Sequence, residues 1–268
     1  MTIGQVRQET EAPGHPRHRG TRAAGGAVKV PEVTPAFWVT KVLTTGMGEV
    51  LSDYLNHVLN PFVAVGLGFL AFVAALAVQF RSRRYRAVTY WFAVVMVSVF
   101  GTMAADVLHV VLGVPYQVST PFFAVALAVV LGLWRWTEGT LSIHSVVSGR
   151  REVWYWLTVL CTFALGTAAG DLTAYTLGLG YLASAVLFAV VIVVPALGYG
   201  VFRLNAVFAF WFAYVVTRPL GASLADWMAV SKARGGLAFG LGATTAAWTV
   251  AIVAFVGYLA MSRRRETA

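Results

Sequence analysis

Eight long apolar stretches limit what this chain can fold into more than any other feature of the sequence. Each has about 17 or more residues, the length that a helix needs to cross the hydrocarbon core of a bilayer. In lipid, only helices and closed β-barrels pair all of their backbone groups, and barrel strands are much shorter. We therefore predict an all-α, polytopic membrane protein with eight transmembrane helices. The stretches lie at roughly 36–58, 62–80, 89–111, 118–134, 154–177, 180–200, 206–229 and 236–260.

The composition supports a membrane environment. Only 12% of the residues are charged, whereas an ordinary soluble domain has about 25%. Residues 1–35 differ from the rest, because they are basic, rich in Gly and Pro, and have no apolar core. We predict a disordered cytoplasmic tail there, a transmembrane domain over 36–260 and a basic cytoplasmic tail at 261–268. The single cysteine, Cys161, excludes an internal disulfide and a cysteine metal cluster.

The distribution of positive charge predicts the orientation. Sixteen of the twenty Lys and Arg residues lie in the tails and loops on one side of the membrane, and only Lys232 and Arg234 lie on the other. Since positive residues stay on the cytoplasmic side, both termini of this multi-pass protein are predicted in the cytoplasm, beneath the inner (plasma) membrane. We interpret the net charge of +9 as an attraction to the lipid bilayer, and we predict no nucleic-acid partner.

Four repeats account for the eight stretches, two stretches to each repeat. In every repeat a tryptophan lies fifteen residues before an aspartate, a glycine lies five before it and a small residue one before it. This regularity indicates internal repetition, with all four repeats entering the membrane from the same side. The repeats cover about 36–80, 89–134, 154–200 and 206–260; their aspartates are Asp53, Asp106, Asp171 and Asp226, their tryptophans Trp38, Trp91, Trp156 and Trp211, and their glycines Gly48, Gly101, Gly166 and Gly221. We predict a bundle with two- or four-fold internal symmetry.

The sequence resembles a family of uncharacterised bacterial membrane proteins that contain four tandem copies of a two-helix repeat of unknown function, each with a characteristic tryptophan. The resemblance covers about residues 34–260. It rests on the W-x14-D pattern with its glycine, as in WFAVVMVSVFGTMAAD (91–106) and WFAYVVTRPLGASLAD (211–226). It implies the eight-helix architecture and implies no activity.

The repeated glycines are predicted to be packing positions. The glycine and the small residue before the aspartate are four residues apart, so they share one face of the helix. Such small-xxx-small pairs let helices approach closely in lipid. The pairs are Gly48/Ser52, Gly101/Ala105, Gly166/Gly170 and Gly221/Ala225.

The four aspartates are the candidate site. A carboxylate that faces lipid at this depth costs roughly 2.5–3.5 kcal/mol, so we expect all four to face the bundle interior. Four carboxylates that meet would need a cation or protons, and oxygen ligands suit Mg²⁺, Mn²⁺ or Ca²⁺. We predict a metal site at the four aspartates, with Glu49 and His109 on the same ion pathway. Alternatively, the aspartates only join neighbouring helices through hydrogen bonds.

The remaining polar and aromatic positions have two interpretations each. The tryptophans lie about 22 Å from the aspartates, near the cytoplasmic interface, where they would either anchor the helices or form a ring around a vestibule. Lys41 and Arg218 are expected as charge partners of the carboxylates.

These features favour a transporter of a divalent cation, coupled to protons, that uses the intramembrane carboxylates. An ion channel and a structural or accessory membrane protein are the alternatives. We do not expect an enzyme, because no HExxH, GxSxG, P-loop or GxGxxG arrangement occurs in a suitable context. Beyond the transported cation, no cofactor is predicted, and the sequence leaves the oligomeric state open.

Overall fold

The chain forms a helical bundle, described here from a computed structural model over residues 27–147 and 149–266. No β-strand occurs within these ranges, which confirms the all-α prediction. α6 and α7 are two halves of one apolar span that is interrupted at Ile192. The helices are α1 (Pro35–Val58), α2 (Pro61–Arg81), α3 (Ala87–Asp106), α4 (Tyr116–Glu138), α5 (Arg150–Asp171), α6 (Gly180–Val191), α7 (Val193–Gly200), α8 (Ala206–Ala229) and α9 (Leu241–Glu266).

Local sequence sets several of the helix ends. Thr34, Asn60 and Asn205 cap α1, α2 and α8, because each side-chain oxygen accepts a hydrogen bond from a backbone N–H of the first turn. The turns that follow the first helix of repeats two, three and four each contain a glycine with positive φ, which other residues rarely adopt. These glycines are Gly113, Gly178 and Gly235.

The first helix of each repeat belongs to an inner ring. α1 packs against α3, α3 against α5, α5 against α8 and α8 against α1, so the ring is closed. In α3, α5 and α8, 61–67% of the apolar span is buried, whereas the outer spans are only 17–22% buried. The second helix of each repeat is therefore the one that faces the surroundings of the bundle.

Each outer helix packs mainly on the inner helix of the following repeat. α2 lies on α3, α4 on α5, α6 on α8, and α9 returns to α1. The same relation thus occurs four times around the ring. This arrangement agrees with the four-fold version of the predicted internal symmetry.

Within the described residues, seven of the spans are long and apolar enough to cross a membrane. They are α2, α3, α4, α5, the combined α6 and α7, α8 and α9. α1 has 24 residues and is equally long, but it carries Lys41, Glu49 and Asp53 and is less apolar. Its position in the inner ring, enclosed by α3, α8 and α9, explains how a helix with three charged residues fits this bundle.

The structure describes part of each predicted tail. Residues 1–26 of the predicted disordered tail lie outside the described residues. Residues 27–34, which we call the strap, are packed on the bundle, and Lys29 is only 3% exposed. The strap is held there because Lys29 has a buried ion-pair partner, Glu152. At the other end, α9 continues to Glu266, through most of the residues predicted as the basic tail at 261–268.

Candidate functional site

Five carboxylates converge at one end of the inner ring. Oxygens of Glu49, Asp53 and Asp226 lie within 4.8 Å of one another, although they come from repeats one and four. Asp106 interacts electrostatically with Glu49, Asp53 and Asp171, and Asp226 interacts with the same three residues. We call these five residues the carboxylate cluster. The structure thus brings all four predicted aspartates, and Glu49, into one region.

The cluster is buried to different degrees. Glu49 and Asp226 are buried, whereas Asp53, Asp106 and Asp171 are half-buried. Asp106 and Asp171 are the last residues of α3 and α5, and a π-helical turn follows each of them. Such turns are rare and occur often at functional sites. Through the half-buried aspartates, the cluster can be reached from the end of the bundle at which it lies.

Arg218 joins all four repeats directly beside the cluster. Its Nη2 donates hydrogen bonds to the Glu49 carboxylate and to the Thr102 hydroxyl, and its Nη1 donates to the Thr45 carbonyl oxygen at 3.1 Å. The Thr167 hydroxyl is also 2.7 Å from Nη2, whose two hydrogens are thus shared among three oxygens. Glu49, Thr102 and Thr167 occupy the same position in repeats one, two and three, four residues before the aspartate. Arg218, which is fully buried, therefore closes the centre of the ring.

Lys41 does not pair with a carboxylate among the described residues. Its ammonium is buried and lies 4.0 Å from the centre of the Phe163 ring and 4.1 Å from that of Tyr214. It has no hydrogen-bond acceptor in the parts of the chain that the structure describes. The two rings attract the cation through their π faces, which replaces the predicted salt bridge. Of the two predicted charge partners, only Arg218 contacts an acid.

The four tryptophans lie in a closed aromatic ring at the opposite end. Each follows another aromatic residue, and that residue packs on the tryptophan of the next repeat, so the contacts run once around the bundle. The four contacts, with their centroid distances, are Phe37–Trp91 at 5.5 Å, Tyr90–Trp156 at 5.7 Å, Tyr155–Trp211 at 6.1 Å and Phe210–Trp38 at 5.7 Å. Trp91, Trp156 and Trp211 are buried in the core and Trp38 is partly buried. The tryptophans fill this end of the bundle. This packed arrangement differs from both predicted roles, which were interfacial anchors and a ring around an open vestibule.

Hydroxyl groups fill the axis next to the aromatic ring. The hydroxyls of Tyr90 and Tyr155 are 2.5 Å apart, and Tyr214 lies against the same pair. All three side chains are fully buried. Lys41 lies against Tyr214, and Arg218 bonds to Glu49, so these side chains occupy the axis between the aromatic ring and the cluster.

The repeated glycines lie where inner helices touch. A Cβ on Gly221 would lie 2.0 Å from the Thr45 hydroxyl, and one on Gly166 would lie 2.3 Å from the Arg218 side chain. Gly48 meets Ser98 and Gly101 meets Phe163 in the same way. In all four cases the neighbour is the residue eight before the aspartate of the next repeat. These glycines permit the close approach that brings Arg218 to Glu49.

His109 lies outside the carboxylate cluster. Its Nδ1 is 2.8 Å from the Val114 carbonyl oxygen, which can only accept, so Nδ1 carries a proton, and Nε2 is 3.3 Å from the Ser119 hydroxyl. Its ring also packs on Tyr116, with 4.0 Å between the ring centres, and Tyr116 lies near Asp171. Both nitrogens are thus engaged in holding the α3–α4 turn. The place of His109 on the ion pathway stays a prediction.

A cap covers the aromatic end, and sequence reasoning missed it. The strap and the loop at 139–147, which we call the cap loop, are joined by a bond from the Lys29 backbone N–H to the Val146 carbonyl oxygen at 2.9 Å. The Lys29 ammonium also donates to Glu152 at 2.6 Å, and Trp211 donates to the Leu141 carbonyl oxygen at 3.0 Å. No local pattern marks Lys29 or Glu152, because they are 123 residues apart.

An apolar cavity of about 700 Å³ lies beside the cap, between α7, α8 and the cap loop. Its lining includes Trp38, Pro195 and Phe210, and none of the five carboxylates. The cavity is therefore separate from the candidate cation site.

The fold and the site together define a polytopic helical membrane protein, with four parallel two-helix repeats around an acidic centre. The chain belongs to the family described as Repeat of Unknown Function (DUF347), whose profile matches residues 36–85, 89–140, 154–203 and 209–265. These four matches confirm the resemblance stated above. Comparison with curated proteins and with solved structures finds no match.

Proposed function

We propose that the protein transports a cation across the membrane and binds it at the carboxylate cluster. The observation that carries this proposal is the convergence of Glu49, Asp53 and Asp226, whose oxygens lie within 4.8 Å of one another. Arg218 and Thr102 both donate to Oε2 of Glu49, which leaves Oε1 available to a ligand. Carboxylate oxygens in this number suit a hard divalent cation such as Mg²⁺, Mn²⁺ or Ca²⁺.

The charge balance supports proton coupling. Arg218 pairs with Glu49, and no other Lys or Arg pairs with the four aspartates among the described residues. Four neighbouring carboxylates need compensating positive charge, which either a cation or protons supply. Exchange of one for the other at the cluster would couple the transported ion to protons.

The closed axis supports alternating access. The aromatic ring, the tyrosines, Lys41 and Arg218 fill the axis on one side of the cluster, while three aspartates are half-buried at the other end. The distribution of Lys and Arg supports a plasma-membrane location with the cap and both termini in the cytoplasm. The cluster would then receive its ion from the outer side, and release into the cytoplasm would require Arg218 and the aromatic ring to move.

Calorimetry tests the proposal. Titration of the purified protein with Mn²⁺, Mg²⁺ and Ca²⁺ at pH 6 and pH 8 is expected to show binding that weakens at the lower pH. Asp106→Asn and Asp171→Asn are expected to weaken it further, whereas Glu32→Gln, an exposed acid in the strap, is the matched control. Flux into liposomes that saturates with cation concentration would then distinguish a carrier from a channel.

A structural role is the second candidate, and the Arg218 contacts favour it. One side chain joins four repeats, as expected of a residue that holds a bundle together. If no cation binds while the Asp→Asn variants unfold at lower temperature, the carboxylates serve packing and the transport proposal fails.

A further inference from the structure

A basic cavity lies on the loop between α2 and α3, at the end of the bundle that carries the cap. Its volume is about 580 Å³, which is within the size range of small-molecule sites. Four arginines line it, one at the end of α2 and three in the loop, and its apolar part comes from α2 and from the strap. These residues are Arg81, Arg83, Arg84, Arg86, Val78 and Ala27.

The four arginines have no acidic partner among the side chains that the structure describes. Elsewhere on the same side, Arg150 and Arg151 both pair with Glu138. The arginines instead surround the cavity with positive charges. A bound anion would compensate these charges. Guanidinium groups bind phosphate oxygens with two parallel hydrogen bonds, so a phosphate is the anion that fits this lining best.

The position of the cavity indicates how that phosphate arrives. α2 is an outer helix, and only 17% of its apolar span is buried. Val78 and Phe80 are exposed on the last turns of α2, directly before the arginines. An apolar helix face therefore continues into a basic cavity. A lipid would place its acyl chains on the apolar face and its headgroup in the cavity.

We propose that this cavity binds the headgroup phosphate of an anionic phospholipid, whose acyl chains lie along α2. The site is independent of cation binding at the carboxylate cluster. It also adjoins the strap, because the Tyr85 N–H donates to the Val28 carbonyl oxygen at 3.3 Å and Lys29 donates to the Phe80 carbonyl oxygen at 3.1 Å. A bound headgroup is thus expected to hold the strap against α2.

The test compares two pairs of arginines in the purified protein. Native mass spectrometry would measure retained phosphatidylglycerol and phosphatidylcholine in wild type, Arg83→Gln/Arg84→Gln and the control Arg263→Gln/Arg264→Gln. We expect wild type and control to retain phosphatidylglycerol selectively, and the loop variant to bind it roughly tenfold more weakly or worse. Equal loss in both variants would show attraction by net charge alone and overturn the proposal. Displacement of the lipid by millimolar inorganic phosphate would assign the cavity to a free anion and also overturn it.

Hydrogen exchange on the wild-type protein gives a readout that does not depend on any variant folding. Exchange at residues 27–34 is expected to be slower in nanodiscs of phosphatidylglycerol than in those of phosphatidylcholine. Equal exchange in the two lipids would overturn the placement of the headgroup beside the strap.

Discussion

Arg218 and Glu49 form a buried ion pair that joins repeat four to repeat one, 169 residues apart in the sequence. The same guanidinium bonds to Thr102 and Thr167, so it also reaches repeats two and three. The pair lies between the carboxylate cluster and the filled part of the axis. Its loss therefore affects both the stability of the bundle and the separation of its two ends.

Arg218→Met is expected to lower the free energy of unfolding by about 3–5 kcal/mol, because it leaves the Glu49 carboxylate buried without a partner. Adding Glu49→Gln should restore part of that loss, since the double variant has no buried unpaired charge. Thermal unfolding in detergent measures both effects. Single and double variants that unfold at the wild-type temperature would contradict the central role of this pair.

Gly221→Ala is expected to destabilise the protein by about 1–3 kcal/mol, as overpacking does. The new Cβ would lie 2.0 Å from the Thr45 hydroxyl and 2.8 Å from the backbone oxygen of Val42. Gly132→Ala on α4 is the matched control, since a Cβ there has no neighbour within 4 Å. The control should be neutral or slightly more stable, because Ala favours helix over Gly. Equal melting temperatures for both variants would refute the close contact of α1 and α8.

Trp156→Ala should cost about 3–5 kcal/mol, because it removes a buried side chain from the aromatic ring. Trp136→Ala provides the comparison, since Trp136 is 82% exposed and is expected to change stability little. Unfolding monitored by circular dichroism distinguishes a packed ring from interfacial anchors. Anchors would give the two variants similar, small effects.

Glu152→Gln is expected to loosen the cap, because it leaves the Lys29 ammonium buried beside a neutral amide. Hydrogen exchange at residues 27–34 should rise at least tenfold, while exchange in α9 should stay unchanged. Glu138→Gln is the control, since Glu138 pairs with the more exposed Arg150 and Arg151. Slow exchange of the strap in Glu152→Gln would show that Lys29 does not fasten it.

Cysteine labelling checks the orientation. In a Cys161→Ala background, Ser82→Cys is expected to react with a membrane-impermeant maleimide only after the cells are opened. Ser231→Cys, on the loop that bears Lys232 and Arg234, should react in intact cells. The reverse pattern would place the cap outside the cytoplasm and the carboxylate cluster on the inner side.

The sequence predicted those features that depend on periodicity. Apolar length placed the spans, and the fixed offsets between Trp38, Gly48 and Asp53 revealed the repeats. Because equivalent residues of parallel repeats lie at one depth, these offsets also predicted four aspartates at equal depth. Whether the aspartates meet was left open, because that depends on how the repeats close around a shared axis. The close contacts of the glycines follow from the same regularity.

The sequence did not predict the contacts between repeats, because they depend on how far each inner helix is rotated about its own axis. That rotation turns Lys41 toward Phe163 and Tyr214 instead of toward an acid. It also places each tryptophan on an aromatic residue of the preceding repeat. The pairing of Lys29 with Glu152 has a different reason, since it depends on the path of the strap across the bundle.

The exchange of outer helices between neighbouring repeats has a consequence for biogenesis. α1 is the first of the described helices to be synthesised, and α9, which covers it, is the last. Throughout translation, α1 therefore holds Lys41, Glu49 and Asp53 in the membrane without its final neighbour. The described bundle is complete only when α9 has inserted, so shortened chains that lack α9 are expected to be recognised and degraded by membrane proteases.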